Sequence, residues 1–147
     1  MPNTVQLHRV LATTPEKLFR AFTQPEALTR WLPPYGFVAK IWDFDPTEGG
    51  GYGMSFTNFT TGKGHAFRCM FREIVPDRRL VYTDRFDDVN LPGEMLVTVT
   101  IAAVSVGSDL RIVQEGIPDV IPLEACYLGW QQSLDQLARL VEPHIPD

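Results

Sequence analysis

The stretch over residues 122–142, PLEACYLGWQQSLDQLARLVE, decides the fold. Its large apolar side chains recur at spacings of three and four, which is the period of one helix face. Pro122 suits the first turn of a helix, and Pro143 ends one. The pattern predicts a helix of about 30 Å at 1.5 Å per residue. Its apolar stripe consists of Leu123, Tyr127, Trp130, Leu134, Leu137 and Val141.

Gly129 interrupts this helix and costs about 1 kcal/mol relative to alanine. The side opposite the apolar stripe carries Gln131, Gln132, Asp135 and Arg139. Because glycine has no Cβ, we expect it at a point where another group approaches the helix backbone closely.

The preceding sequence changes to a period of two, which is typical of strands. A first strand surrounds Val5 and Leu7. The separators between the later segments are short and rich in Gly, Pro, Asp and Asn, and parallel strands would need longer crossovers. We therefore predict an antiparallel meander over residues 36–43, 51–58, 65–74, 79–86, 94–104 and 109–115.

Two short helices are predicted between the first strand and this meander. Thr13 and Glu16 have the spacing of a capping box, so the first helix should begin after Thr13 and run to about Phe22. Pro25 suits the start of the second helix. It ends before Pro33, because proline disfavours the helical conformation in the residue before it.

Alternation assigns one face of the meander to the long helix. That face is rich in Phe, Tyr and Met, with His65, Glu73 and Gln114 as polar groups at its edges. Such a face is either solid core or the wall of a pocket for an apolar small molecule, and the pattern alone leaves both open. In a pocket, the ligand contacts would be Trp31, Tyr52, Met54, Phe56, Phe67, Cys69, Phe71, Tyr82, Asp84, Phe86, Val97, Val99, Ile112, Gln114, Cys126, Tyr127 and Trp130.

The best candidate for chemistry is Asp84, which alternation places between Tyr82 and Phe86 on the apolar face. Burial there would raise its pKa and suit it to general-base catalysis, unless an arginine compensates the charge. The alternative is a structural carboxylate at the strand end, paired with an arginine or with solvent. His65 is the second candidate. A dyad of His65 with Cys69 is excluded, because the two lie about 13 Å apart along one strand.

The composition limits the class of partner. The 147 residues carry a net charge of −5 and their Lys and Arg residues are scattered, so we expect no nucleic-acid binding. Cys69 and Cys126 match no metal-ligand spacing and suit a reducing compartment. Without a signal-peptide pattern or a transmembrane run, we expect one cytoplasmic domain over residues 1–147, with no metal and no cofactor. A homodimer is left open.

Four segments occur in an order that resembles one family. They are ATTPEKLF at 12–19 continuing to PEALTRW at 25–31, DPTEGG at 45–50, FREIVPDRRLVYT at 71–83, and Gly129-Trp130 followed by Leu134, Leu137 and Leu140. Together they resemble the homologues of the activator of heat-shock protein 90 ATPase, in the START-like (SRPBCC) superfamily of Bet v 1-type helix-grip folds. The resemblance covers nearly the entire chain. It implies an α+β fold in which a curved seven-stranded antiparallel sheet grips the C-terminal helix, with two short supporting helices and a cavity between.

The resemblance implies no single function, because one fold hosts many. Members of the superfamily bind lipids, sterols or polyketides; some are cyclases or hydrolases, and others are co-chaperones or sequester a toxin. Three hypotheses follow for this chain. It binds an apolar or amphipathic small molecule; it is a cyclase, dehydratase or hydrolase that acts on such a ligand through Asp84 or His65; or it is an interaction domain with a chaperone partner.

Overall fold

A computed structural model describes residues 3–147 as a seven-stranded sheet with three helices. The sheet has the order β1-β7-β6-β5-β4-β3-β2, and every neighbouring pair is antiparallel. It curls around the last helix, which confirms the predicted α+β architecture and the two short helices after the first strand. The elements are β1 (Asn3–Leu11), α1 (Pro15–Thr23), α2 (Pro25–Trp31), β2 (Phe37–Trp42), β3 (Gly51–Asn58), β4 (Gly64–Val75), β5 (Arg79–Phe86), β6 (Met95–Val104), β7 (Gly107–Ile117) and α3 (Leu123–Val141).

The start of α1 differs from the prediction by one residue. Thr14, not Thr13, is the N-cap, and its Oγ1 accepts a hydrogen bond from the backbone N–H of Lys17 at 3.2 Å. Thr13 is buried instead, and its carbonyl accepts a hydrogen bond from Ser108 Oγ at 2.7 Å. The capping-box prediction was wrong because Thr13 is held by β7, which no local pattern reveals.

The second half of α3 forms the packed part of the core. Its buried residues are Ser133, Leu134, Leu137, Ala138 and Val141. The four apolar ones face α1, α2 and the sheet, in a cluster that also holds Leu18, Phe22, Trp31, Leu80, Val99 and Leu110. The helix begins at Leu123, one residue later than predicted, because Pro122 has an extended backbone and takes the N-cap position.

Polar contacts fasten α3 to the end of α2. Gln136 Nε2 donates to the carbonyl groups of Trp31 and Pro33, at 3.0 and 2.6 Å. Ser133 Oγ donates to the carbonyl of Leu32 at 2.6 Å. Carbonyl groups at a helix end need partners from outside the helix, so these bonds fix the position of α2 on α3.

Two irregularities in the strands change which side chains face inward. The register between β4 and β5 shifts between Phe71 and Glu73. An extra residue in a strand reverses the alternation beyond it. The prediction that Glu73 faces inward was therefore wrong: Glu73 forms an ion pair with Arg79, and Ile74 packs against the core in its place.

The second irregularity lies in β7 and concerns Gly116. Asn3 pairs with Ile117, but Val5 pairs with Gln114, so β7 carries one residue more than β1 over this interval. Gly116 has a φ of +80°, a conformation that favours glycine. As a result Ile117, three positions after Gln114, is also buried.

Candidate functional site

A cavity of about 510 Å³ lies between the sheet and the first half of α3 and is partly open to solvent. Its wall takes residues from the end of α2, from β2 to β7, from α3, and from the loops before β6 and before α3. Within this wall, nine residues were predicted from the sequence as ligand contacts or catalytic candidates. They are Phe56, His65, Phe67, Tyr82, Asp84, Phe86, Gln114, Cys126 and Trp130.

Nine other residues predicted as ligand contacts lie away from this wall. Eight of them are core residues that are each 2% exposed or less. They are Trp31, Tyr52, Met54, Cys69, Phe71, Val97, Val99 and Ile112. The ninth, Tyr127, accepts a hydrogen bond at its hydroxyl from the backbone N–H of Gln6 at 3.3 Å. Alternation correctly predicted that the seven strand residues of this set face inward, but α1, α2 and the second half of α3 cover that end of the sheet.

Eleven residues of the wall were not predicted as ligand contacts. Several lie in loops, where no periodicity marks direction, and Ile117 is turned inward by the extra residue in β7. Pro33 and Pro34 predict the end of α2 but not that Leu32 and Pro34 lie on the wall. The eleven are Leu32, Pro34, Phe37, Asp88, Leu91, Met95, Ile117, Ile121, Ala125, Gly129 and Ser133.

Gly129 forms part of the wall with its backbone. A Cβ built on it would meet only Pro34 Cγ, at 3.8 Å, which is ordinary van der Waals contact. The expected close approach to the helix backbone is therefore absent among the described residues. The glycine instead leaves space between α3 and the sheet.

An array of rings lines the cavity on β3, β4 and β5. The Phe56 and Phe67 rings meet edge to face, with centroids 5.3 Å apart. The His65 ring lies between Phe56 and Phe86, 5.8 Å from each. Edge-to-face contacts are the favoured geometry of such pairs. Partial burial between these rings lowers the pKa of His65, which favours its neutral form.

Trp130 and Gln114 join α3 to β7 across the wall. The indole N–H of Trp130 donates to Gln114 Oε1 at 2.8 Å. The other end of this amide, Nε2, lies 3.5 Å from Met95 Sδ. These contacts hold the indole on the wall, where the sequence placed it.

Asp84 is the polar group of the wall that has an unsatisfied atom. Its Oδ1 is buried and has no hydrogen-bond partner anywhere in residues 3–147. Burial raises the pKa of Asp84 to about 7. Two arginines adjoin Asp84, Arg85 in sequence and Arg68 across the β4–β5 pair, and neither compensates it: Arg85 pairs with Glu94 at 3.3 Å and Arg68 with Asp43 at 3.5 Å. The carboxyl group can therefore gain or lose a proton near neutral pH.

The ionisable neighbours of Asp84 are neutral at that pH. Burial, followed by the nearby Asp84 charge, raises the pKa of the Cys69 thiol and the Tyr82 phenol. Burial also raises the pKa of Tyr52, whose side chain is hydrogen-bonded to Cys69. These groups can shape the environment of Asp84 but do not neutralise its charge.

Two further properties concern metals and membranes. Across residues 3–147, no three His, Cys, Asp or Glu side chains are grouped so that they could hold a metal ion. None of the three helices in that range is long and apolar enough to span a bilayer.

The curled sheet, the gripped helix and the cavity between them define a helix-grip protein of the START-like type. Residues 12–142 match the family model described as activator of Hsp90 ATPase homolog 1-like protein. The chain belongs to this family, which confirms the resemblance found in its sequence motifs.

Solved structures of similar proteins agree with this assignment. A crystal structure of a protein from Chromobacterium violaceum is 58% identical, with a TM-score of 0.95 over 97% of this chain and 99% of that one. A Rhodobacter sphaeroides protein is 24% identical, with a TM-score of 0.82 over 92% and 90% of the two chains. An Arthrobacter aurescens protein is 16% identical, with a TM-score of 0.83 over 93% and 84%. The last two show the fold alone. No curated protein matches the sequence.

Proposed function

We propose that this protein binds an apolar or amphipathic small molecule in the cavity between α3 and the sheet. The observation that carries the proposal is a cavity of about 510 Å³ with an apolar, ring-rich wall and few polar groups. Sites for small molecules typically have volumes of about 300–1,000 Å³ and walls of this composition. A ligand that fills the cavity would bury most of its apolar surface.

The polar groups of the wall would orient the ligand. Asp84 on β5 and Gln114 on β7 converge on the cavity. The amide of Gln114 is already engaged by Trp130, whereas Oδ1 of Asp84 has no partner in the described chain. An apolar body with one polar end therefore fits the wall better than a pure hydrocarbon, since a buried polar atom without a partner costs free energy.

The test places larger side chains at position 129 of α3, where they would fill part of the cavity. Nile red, which is neutral and brightens in apolar surroundings, is titrated into the wild type and into Gly129→Ala, Gly129→Leu and Gly129→Phe. We expect saturable 1:1 binding that weakens as the side chain grows, by about tenfold for leucine or phenylalanine. Gln131→Leu, which adds an apolar side chain on the exposed face of α3, is the matched control and should leave the affinity unchanged. Equal binding by the wild type and Gly129→Phe would contradict the proposal.

A second candidate function is an acid–base enzyme acting on such a ligand. The observation that favours it is Asp84, whose pKa burial raises to about 7, a value suited to proton transfer near neutral pH. Wild type and Asp84→Asn are each incubated with a small-molecule extract and followed by mass spectrometry. An enzyme that uses Asp84 should deplete a compound that the variant binds but leaves unchanged. A catalytic role for His65, binding to a chaperone partner and formation of a homodimer stay predictions.

A further inference from the structure

We propose that the ligand carries a positively charged amino group on an apolar body, and that this group donates a hydrogen bond to Oδ1 of Asp84. This inference rests on the proposed function and specifies its ligand class. It starts from one atom: Oδ1 of Asp84 is a buried carboxyl oxygen in the cavity wall with no hydrogen-bond partner in residues 3–147. Buried polar atoms almost always have a partner, so a donor on the ligand would complete the site.

Residues 3–147 supply no counter-charge to Asp84. Among the residues of the wall there is neither a lysine nor an arginine. The neighbouring arginines belong to outer ion pairs, Arg85 with Glu94 and Arg68 with Asp43. A cation from the ligand would thus meet a carboxylate that nothing else in the described chain neutralises, and charge-assisted hydrogen bonds are the strong ones.

The groups that face Asp84 from the surrounding elements favour a cation over an anion. Tyr52 on β3, Cys69 on β4 and Tyr82 on β5 are the groups that interact with its charge, and all three are neutral at physiological pH. The other ionisable groups of the wall are His65, Cys126 and Asp88, of which Asp88 adds a second negative charge. An anionic ligand would have to approach these carboxylates without a compensating base.

The rings of the wall add a second attraction for a cation. On β5, alternation puts Tyr82 and Phe86 on the same side as Asp84, and Phe67 faces Phe86 across the strand pair. Aromatic faces attract ammonium groups through their quadrupole, most strongly when water is excluded. The same rings supply an apolar surface for the body of the ligand. One site therefore combines a carboxylate that binds the ammonium group with rings that contact both the ammonium group and the apolar body of the ligand.

The test uses three compounds with the same naphthalene body and different ends. They are 2-(1-naphthyl)ethylamine, 2-(1-naphthyl)ethanol and 1-naphthylacetic acid, which are cationic, neutral and anionic at pH 8. Calorimetric titration should give the amine an affinity at least about tenfold above the alcohol, and the acid the weakest. If the alcohol or the acid binds as tightly as the amine, the inference is overturned while the proposed function stands. If none of the three binds and Nile red does not either, the proposed function fails as well.

Matched variants assign the effect to Asp84. Asp84→Asn keeps the shape of the side chain and removes the charge. It should lower the affinity for the amine by about tenfold or more and change the affinity for the alcohol by less than about threefold. Asp88→Asn makes the same charge change elsewhere in the wall and should have the smaller effect on the amine. Thermal unfolding of both variants confirms that they are folded. An amine affinity that Asp84→Asn leaves unchanged would contradict the inference.

The pH dependence provides an independent readout. With the pKa of Asp84 at about 7 in the free protein, the carboxyl group must release its proton to bind a cation at pH 5.5. The amine should therefore bind about thirtyfold more tightly at pH 8 than at pH 5.5, and the alcohol should not. In Asp84→Asn the difference should disappear. A wild-type amine affinity that is flat or falls between these pH values would refute the pairing with Asp84.

Discussion

The two halves of α3 belong to one apolar stripe but face different surroundings. In the second half, residues 133–141, the inward side is buried against α1, α2 and the sheet, and Ser133 and Gln136 donate hydrogen bonds to carbonyl groups at the end of α2. In the first half, Trp130 and Cys126 face the cavity and are only partly buried. The period of a helix therefore specifies which side faces inward, while the elements around it decide whether that side is packed or hollow.

The largest expected effect lies in the packed half. Leu134→Ala should lower the free energy of unfolding by about 2–5 kcal/mol, because it removes a buried side chain from a filled core. Leu123→Ala, at the other end of the stripe and partly exposed, should cost less than half as much. Urea denaturation measures both. A loss below about 0.5 kcal/mol for Leu134→Ala would show that the second half is not packed as described.

The second effect concerns the charge of Asp84 on the cavity wall. Asp84 has a pKa of about 7 when folded and about 3.9 when unfolded. The folded state thus binds the extra proton between these values, so this residue makes the protein less stable as pH rises from about 4 to about 7. Asp84→Asn should remove that decline and be more stable than the wild type at pH 8 by about 1–3 kcal/mol.

The check on Asp84 is the difference between wild type and variant, since other carboxyl groups titrate in the same range. Hydrogen bonds to His8 and Arg9 lower the pKa values of Asp109 and Asp135, and their contributions are lost as pH falls. Both chains share these groups, so they cancel. A constant difference in unfolding free energy from pH 4 to pH 8 would contradict the burial of Asp84.

A smaller gain in stability is expected at Gly129. Gly129→Ala should raise the free energy of unfolding by about 1 kcal/mol, because alanine favours the helix and its Cβ meets only Pro34 Cγ at 3.8 Å. Ala138→Gly, in the packed half, should lower it by at least as much. Thermal or urea unfolding of the pair compares the two halves. Destabilisation by Gly129→Ala would mean that no space exists beside this residue.

The smallest effect is spectroscopic. Trp130 lies on the cavity wall, whereas Trp31 is fully buried in the core and Trp42 is partly exposed. Binding of the naphthyl alcohol should change the surroundings of Trp130 alone, so we expect a shift in tryptophan emission that Trp130→Phe abolishes. The emission of the alcohol in buffer is subtracted from both titrations. A shift that persists in the variant would place the ligand elsewhere.

The sequence predicts the fold well because each element has a local cause. Pro122 and Pro143 bracket α3, and the period of two marks the meander, whose short turns allow only antiparallel neighbours. The helices after β1 follow from prolines at positions 15 and 25. The errors at Thr13 and Glu73 arise from a contact with β7 and from a strand irregularity, neither of which has a local pattern.

The site was predictable only in part, for a related reason. Asp84, Phe67 and Trp130 lie on the wall because alternation and helical period give their direction. Tyr52 and Met54 share that direction but lie where the sheet is covered by packed helices. The loop residues of the wall have no period at all. The periodicity of a sequence predicts which way a side chain points. The extent of a cavity depends on which parts of the sheet are covered by helices, and periodicity does not specify this.

The strand order has a consequence for how the protein is made. β1 pairs only with β7, roughly 100 residues later in the chain. At about 5–20 residues per second, β1 must wait roughly 5–20 seconds on the ribosome before its partner has been synthesised. The hairpins from β2 to β7 can form meanwhile, but α3 follows β7 and arrives last. During synthesis the cavity side of the sheet therefore stays uncovered until α3 has been made, and the chain presents its ring-rich surface before this helix packs on it.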